Sequence, residues 1–184
     1  MRLALNLEAW RPDPLNLNDL KKLHAAVESL LRQESFPNAV ECLKLELGRS
    51  SEPFVWSTVE LNTLGVALPA SIKSGWIFLL RSDVPSGCHY HPNSVQHMVA
   101  LNGQGRSKIG AVERPMIPFG RAGHSIEEKW YVIEEGVPHE FFPEGEDMTV
   151  VSFHTCEAFE LEEIACGNGT SRKYEPTDSR APGA

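Results

Sequence analysis

Three side chains able to hold a metal ion lie close together in GCHYHPNSVQHMVALNGQGR, residues 87–106: His89, His91 and Gln96. His89 and His91 are two apart, so on an extended chain both imidazoles face the same side, while Tyr90 faces the other. Gln96 opens a β-rich run that ends at Asn102-Gly103, a strong hairpin turn signal. Two imidazoles on one strand and an oxygen donor on the next can converge on one point, and imidazole suits Zn, Fe, Ni, Cu and, less strongly, Mn. The competing readings are two surface-loop histidines beside Pro92 and an amide that fills the site without binding metal.

Strands are needed to position these groups, and the surrounding sequence supplies them. FVWSTVELN, GWIFLLRS, VQHMVALN, KWYVIEEG and MTVVSFHT are β-rich runs separated by Gly/Pro turn signals such as Pro85-Ser86-Gly87 and Pro143-Glu144-Gly145. Many short strands with this punctuation predict a sandwich or barrel. Before them, residues 16–33 carry Leu20, Leu23, Val27, Leu30 and Leu31 at helical spacing. That apolar stripe needs a partner, either the chain's own β-structure or a second subunit. In ECLKLELG, Leu43, Leu45 and Leu47 alternate as in a half-buried strand, with a continuing helix as the alternative. Residues 166–184 lack apolar periodicity and read as a mobile tail. The expected organisation is therefore an extension over 1–39, a β-domain over 40–165 and a tail over 166–184.

Composition narrows the function classes. A length of 184 residues suggests one domain plus extensions, large enough to fold without a disulfide or metal. A formal net charge of -8 argues against general nucleic-acid binding, which needs a basic face. Cys42, Cys88, Cys156 and Cys166 form no CxxC pair and no regular framework, so reduced thiols are expected. The N-terminal apolar stretch is interrupted by Asn6 and Glu8, and no run approaches a membrane span. These features predict a cytoplasmic protein with no membrane partner.

The spacing around His89 resembles the cupin family. Its first motif has His-x-His, three or four residues, Glu, six residues and Gly; here His89-x-His91 is followed by four residues, Gln96, six residues and Gly103. The second motif places a third histidine after a glycine turn, which EEGVPHEF matches with Gly136 and His139. The resemblance spans roughly residues 72–155. It implies an all-β fold, a double-stranded β-helix (cupin or jelly-roll barrel) with an N-terminal helical extension. It also implies one divalent transition metal (Zn, Fe, Mn or Ni) on His89, His91, Gln96 and His139, a small-molecule ligand in a central pocket, and a homodimer. Three motif positions depart from the family: Asp83 and Glu134 replace a glycine and a proline, and Pro143 replaces an asparagine. At the acidic ligand position stands Gln96, a substitution known among metal-binding members. A neutral amide leaves the metal's full charge in place, which favours anionic or enolate ligands.

Other candidates carry less. His97 follows Gln96 and should face away from it, unless the register slips. His124 sits in a Pro/Gly-rich insertion around residues 113–124 that could form a lid or rim, and it could reach the mouth as an acid or base. His154 reads as a satisfied core or interface residue, and His24 as a partly buried helical one. Met98, Ala100 and Phe141 share the inward face and could line a pocket, although ordinary packing is the simpler reading. Alternation points Cys88 away from the metal. Four functions stay open: metal-dependent isomerisation or enolisation of a sugar or keto acid, Fe(II)-dependent dioxygenation, non-catalytic ligand binding or sensing, and metal-free sugar epimerisation. Arg81, Arg106 and Lys108 are the cations that the last reading would use.

Overall fold

A computed structural model of the chain describes residues 17–174. Two helices, α1 (Leu17–Arg32) and α2 (Ser35–Arg49), precede the strands β1 (Phe54–Thr58), β2 (Ser74–Leu80), β3 (His89–Tyr90) and β4 (Gln96–Ala100). Next come β5 (Gln104–Ile109), β6 (Val112–Pro115), a one-turn helix α3 (Ile126–Lys129) and β7 (Trp130–Ile133). The described chain finishes with β8 (His139–Glu144), β9 (Met148–His154), β10 (Glu162–Ala165) and β11 (Ser171–Lys173). The strands form two sheets, β1-β2-β9-β4-β7 and β11-β10-β3-β8-β5-β6, paired antiparallel throughout. This is a jelly-roll sandwich, the expected cupin architecture.

The two sheets bury their faces differently, and the sequence pattern follows. In the first sheet, Trp76, Phe78, Leu80, Met98 and Val150 point into the sandwich, while Ile77, Leu79, Val99, Val151 and Phe153 point outward. That outer face is covered by Leu20, Leu23, Val27 and Leu30 of α1 and by Leu43 and Leu47 of α2. β2 and β9 are consequently buried along their whole length and read as continuous apolar runs. The second sheet leaves one face to solvent, and β8 alternates accordingly, with His139, Phe141 and Pro143 inside. The α1 stripe has its partner in the chain's own sheet, so it no longer calls for a second subunit.

Several expectations need correction. The strand expected at ECLKLELG is part of α2: Leu43 and Leu47, one helical turn apart, are buried, while Leu45 on the far side is 60% exposed. The residues expected to begin a mobile tail include β11, which pairs with β10, and Tyr174 behind it is 2% exposed. Residues 175–184 of that segment, like residues 1–16, lie outside the described residues. Asn102-Gly103 does not close a hairpin. It joins β4 in one sheet to β5 in the other, with Gly103 at φ 89° and the Thr149 N–H donating to Asn102 Oδ1 at 3.2 Å. The Pro/Gly-rich insertion packs at two places, with Met116 in the inner cluster of the sandwich and Phe119 against α1. The Phe119 ring stacks on His24 at 4.2 Å, and its carbonyl accepts from Lys129 Nζ at 2.9 Å.

Asp83 explains one departure from the family motif. It stands where the family has glycine and adopts φ 57°, the left-handed conformation that Asp tolerates better than most residues. Its carboxylate accepts from the Gly145 N–H at 2.9 Å and from the Ser82 hydroxyl at 2.8 Å, which fixes the turn before β3. Among the described residues, no helix is long and apolar enough to cross a membrane.

Reduced cysteines were expected, yet Cys88 and Cys166 form a disulfide with Cα atoms 5.4 Å apart. Cys88 precedes β3 and Cys166 follows β10, and these strands are hydrogen-bonded neighbours, so the topology brings together two thiols far apart in sequence. Such a bond persists in oxidising surroundings. Thiol titration of the unreduced, denatured protein should find only Cys42 and Cys156 free. Cys166→Ser should lower unfolding stability by about 2–4 kcal/mol, the usual worth of a bridge closing a long loop. Four titratable thiols would refute the bridge.

Candidate metal centre

His89 and His139 are directly paired across β3 and β8, and His91 stands one residue past the end of β3. The His89 and His139 rings are 4.3 Å apart between centroids, and His91 lies 5.4 and 5.3 Å from them. One ligand atom from each of the three lies within 4.8 Å of the others. All three rings are anchored by Nδ1 to a main-chain carbonyl: His89 to Gly87 at 2.8 Å, His91 to Glu162 at 2.7 Å, His139 to Val137 at 2.9 Å. A carbonyl only accepts, so Nδ1 carries the hydrogen and Nε2 of the neutral ring is left as a bare lone pair. The second motif also touches the first directly, since the Gly136 N–H in the turn before β8 donates to the His91 carbonyl at 2.8 Å.

Two buried acceptors here have no partner: Nε2 of His139 and Oε1 of Gln96. Gln96 spends its Nε2 on a weak 3.8 Å contact to Met98 Sδ. Orphaned buried acceptors are costly and rare, and a divalent cation is the kind of partner each of them lacks. The donor set fits a borderline transition metal: three imidazoles suit Zn, Fe, Ni or Cu, and an amide oxygen is a weaker fourth donor.

Burial sets the protonation of His91, His139 and His154. His91 is pushed down to about 4, chiefly by desolvation and then by the neighbouring His89. His139 and His154 are held well below the usual histidine value, again by burial first and by the other rings second. Neutral imidazoles at neutral pH present no proton for an incoming cation to displace.

The remaining histidines sort clearly. His154 lies on the inner face beside His91, with ring centroids 5.2 Å apart. Both its nitrogens are engaged, Nδ1 with Ser94 Oγ at 3.2 Å and Nε2 with Ser152 Oγ at 2.8 Å, so it is the satisfied core residue expected. His97 points to the other side of β4 from Gln96, on the face covered by α1, and burial pushes it down to about 4. His124 is partly exposed and lies 3.7 Å from Glu128, away from the cavity.

The centre opens on a small cavity of about 30 Å³, lined by His89, His91 and Gln96 and walled mainly by Phe78, Leu80, Phe141 and Val150. Met98 also lines it. Among the described residues, no lysine or arginine does. Arg81 donates to the carbonyls of Leu47 and Ser50 at 2.7 Å each, and Arg106 pairs with Glu113 and Glu144. Two of the cations that an epimerase acting on a phosphorylated sugar would use are thus committed elsewhere, and Lys108 is exposed and away from the cavity.

Sequence reasoning missed two residues of the site. Glu163, on β10, is only 8% exposed, and its Oε2 lies 3.7 Å from His89 Nε2. The Tyr174 hydroxyl donates to that same carboxylate oxygen. Burial and the adjacent carboxylate push the Tyr174 phenol well above its ordinary value, so it stays a donor. The only signal for Glu163 was the short alternation Leu161, Glu163, Ala165. Tyr174 lies in a stretch with no apolar periodicity.

No protein-family model matches the sequence, and no curated protein does. Solved structures do match in fold. A salicylate 1,2-dioxygenase variant from Pseudoaminobacter salicylatoxidans, in complex with gentisate, aligns at TM-score 0.54 and 13% identity over 74% of this chain and 37% of its own. An oxalate oxidase aligns at TM-score 0.43 and 12% identity over 67% and 56%. Pumpkin seed globulin aligns at 0.47 and 15% over 63% and 29%. The chain therefore spans well under two thirds of each of these proteins, and the likeness is one of fold.

The shifts of the buried histidines predict how stability depends on pH. In the unfolded chain these rings protonate near 6.5, while in the metal-free fold His91 does so near 4 and His139 and His154 also well below 6.5. The unfolded state binds more protons throughout that interval. Stability is thus fully present above pH 6.5 and is lost as the pH falls toward 4. The urea midpoint of chelator-treated protein should fall steadily over this window, and a flat midpoint would contradict the burial of neutral rings.

Proposed function

We propose that the chain is a metal-dependent cupin enzyme. It holds one divalent transition metal on His89, His91 and His139, with the Gln96 amide oxygen beside them, and acts on a small oxygenated molecule. The observation that carries this reading is the grouping of His89, His91 and His139, whose ligand atoms lie within 4.8 Å of one another and whose rings are each fixed by an Nδ1 bond to a carbonyl, with the unpartnered Gln96 Oε1 on the cavity that His89 and His91 line.

Bound there, the ion would polarise a substrate carbonyl and stabilise developing enolate charge. Phe78, Leu80, Phe141 and Val150 exclude water and accept an apolar body. Such walls suit a small keto acid better than a polyhydroxylated sugar, whose hydroxyls would find few partners there. Enolisation or isomerisation of a small carbonyl compound is the leading reaction. Fe(II)-dependent dioxygenation is the second reading, favoured by the same apolar walls, in which dioxygen dissolves well.

Elemental analysis of protein purified without a metal-binding tag should find close to one metal ion per chain, lost in His89→Ala and in His139→Ala. Deuterium exchange at the α-carbon of simple 2-keto acids, unaffected by removing oxygen, would support enolisation. Oxygen uptake that requires Fe(II) would move the second reading to the front. No metal in any sample after incubation with Fe, Mn, Ni or Zn would defeat both.

A further inference from the structure

We infer that Glu163 supplies the carboxylate of this centre, reaching the ion from β10 as a fourth side chain beside His89, His91 and His139, with Tyr174 as its positioning residue. The inference rests on the proposed metal centre and extends it to a residue outside the two family motifs.

Geometry comes first. His89 Nδ1 donates to the Gly87 carbonyl, so His89 Nε2 carries a lone pair, and that lone pair faces Glu163 Oε2 at 3.7 Å. Two acceptors do not face each other in a protein interior without a cation or proton between them. Metal–nitrogen and metal–oxygen bonds of about 2.0–2.2 Å place adjacent donor atoms roughly 3 to 3.6 Å apart. The separation from His89 is close to that range, while Glu163 lies outside the three-histidine group whose ligand atoms fall within 4.8 Å of one another, so its carboxylate must swing toward the centre to join it.

Charge balance points the same way. A carboxylate 8% exposed is paired or metal-bound in nearly all folded proteins. Among the described residues, no lysine or arginine pairs with Glu163, and the nearest ring nitrogen is His89 Nε2 at 3.7 Å. The register partner of Glu163 on β11, Arg172, pairs with Glu52 at 3.3 Å, lies over the Phe54 ring and also reaches the Tyr174 hydroxyl, without forming an ion pair with Glu163 itself. Gln96 stands where the first motif places its acid, so the three imidazoles and the amide bring no negative charge. Glu163 restores one from a different strand.

Tyr174 fits the part of an outer partner that orients a ligating carboxylate. Its hydroxyl donates to Glu163 Oε2, and its ring is held edge-on against Phe78 and Trp56, with centroids 5.7 and 4.8 Å away. Outer hydrogen bonds of this kind commonly change metal affinity by about 10–100-fold.

The test is titration of the full-length, metal-free protein with Co(II) alone, read by calorimetry and by the visible d–d spectrum. Glu163→Gln should weaken binding by at least about tenfold and alter the spectrum, because a neutral amide replaces a charged donor. Tyr174→Phe should weaken binding with a smaller spectral change, and Glu140→Gln, on the solvent side of β8, should match the wild type. If Gln at 163 prevents folding, Glu163→Asp decides: it keeps the charge but shortens the reach, and weakened binding is expected. Wild-type affinity and an unchanged spectrum in the folded 163 variant would overturn the role of Glu163 while leaving the histidine centre standing. Failure of the wild-type protein itself to bind Co(II) would overturn both.

Discussion

The hydrogen bonds from three imidazole Nδ1 atoms to main-chain carbonyls are the interactions on which the centre depends. Each fixes the tautomer and aim of one ring, which brings ligand atoms of the three histidines within 4.8 Å of one another. The carbonyls come from different places: the turn before β3, the start of β10 and the turn before β8. None can do its part unless those segments are correctly assembled. The centre is thus a product of sandwich formation, and no single segment could form it alone.

That dependence explains why the first sheet is covered on both faces. Gln96 and His154 sit side by side on β4 and β9, and both strands must lie flat against the cavity to hold them. The outer faces of these strands carry Val99, Val151 and Phe153, which in an uncovered sheet would meet water. α1 and α2 bury that face, at roughly 1.5–3 kcal/mol for each large apolar side chain. The helical layer stabilises the wall that carries half of the cavity. The low-dielectric interior it helps create also keeps His91, His139 and His154 neutral.

How much was legible in the sequence follows from the range of the interactions. The five β-rich runs and α1 were readable because their periodicity reflects one-sided or two-sided burial of local segments. His89 and His91 were readable because a strand's two-residue repeat puts them on one face. The strand expected at ECLKLELG shows the limit: three alternate leucines fit a strand, and two of them fit one side of a helix equally well. Only packing on Val55 and Leu79 decides between these, with Leu43 and Leu47 inside and Leu45 outside. Asn102-Gly103 was a correct turn with the wrong neighbours, since local chemistry makes the bend but cannot say which sheet receives the next strand. Asp83 runs the other way. It looked like a departure from the family glycine, yet its side chain stabilises the same left-handed turn by hydrogen bonds.

The C-terminal hairpin was the least legible part because everything it does is long-range. β10 adds its edge to β3, where Ala165 pairs with His89 and Ile164 with Tyr90. The Cys88–Cys166 bond then closes the same junction covalently, one residue before the first histidine. The hairpin contributes the Glu162 carbonyl that orients His91, the Glu163 carboxylate that faces His89, and Tyr174 against Phe78 in the cavity wall. A short two-stranded hairpin has little stability of its own. Its position therefore depends on pairing with β3 and on the disulfide, and opening this junction would disturb His89, His91 and Glu163 together. The bond lies where loss of one covalent link would do most harm to the site's geometry, although neither sulfur touches the cavity.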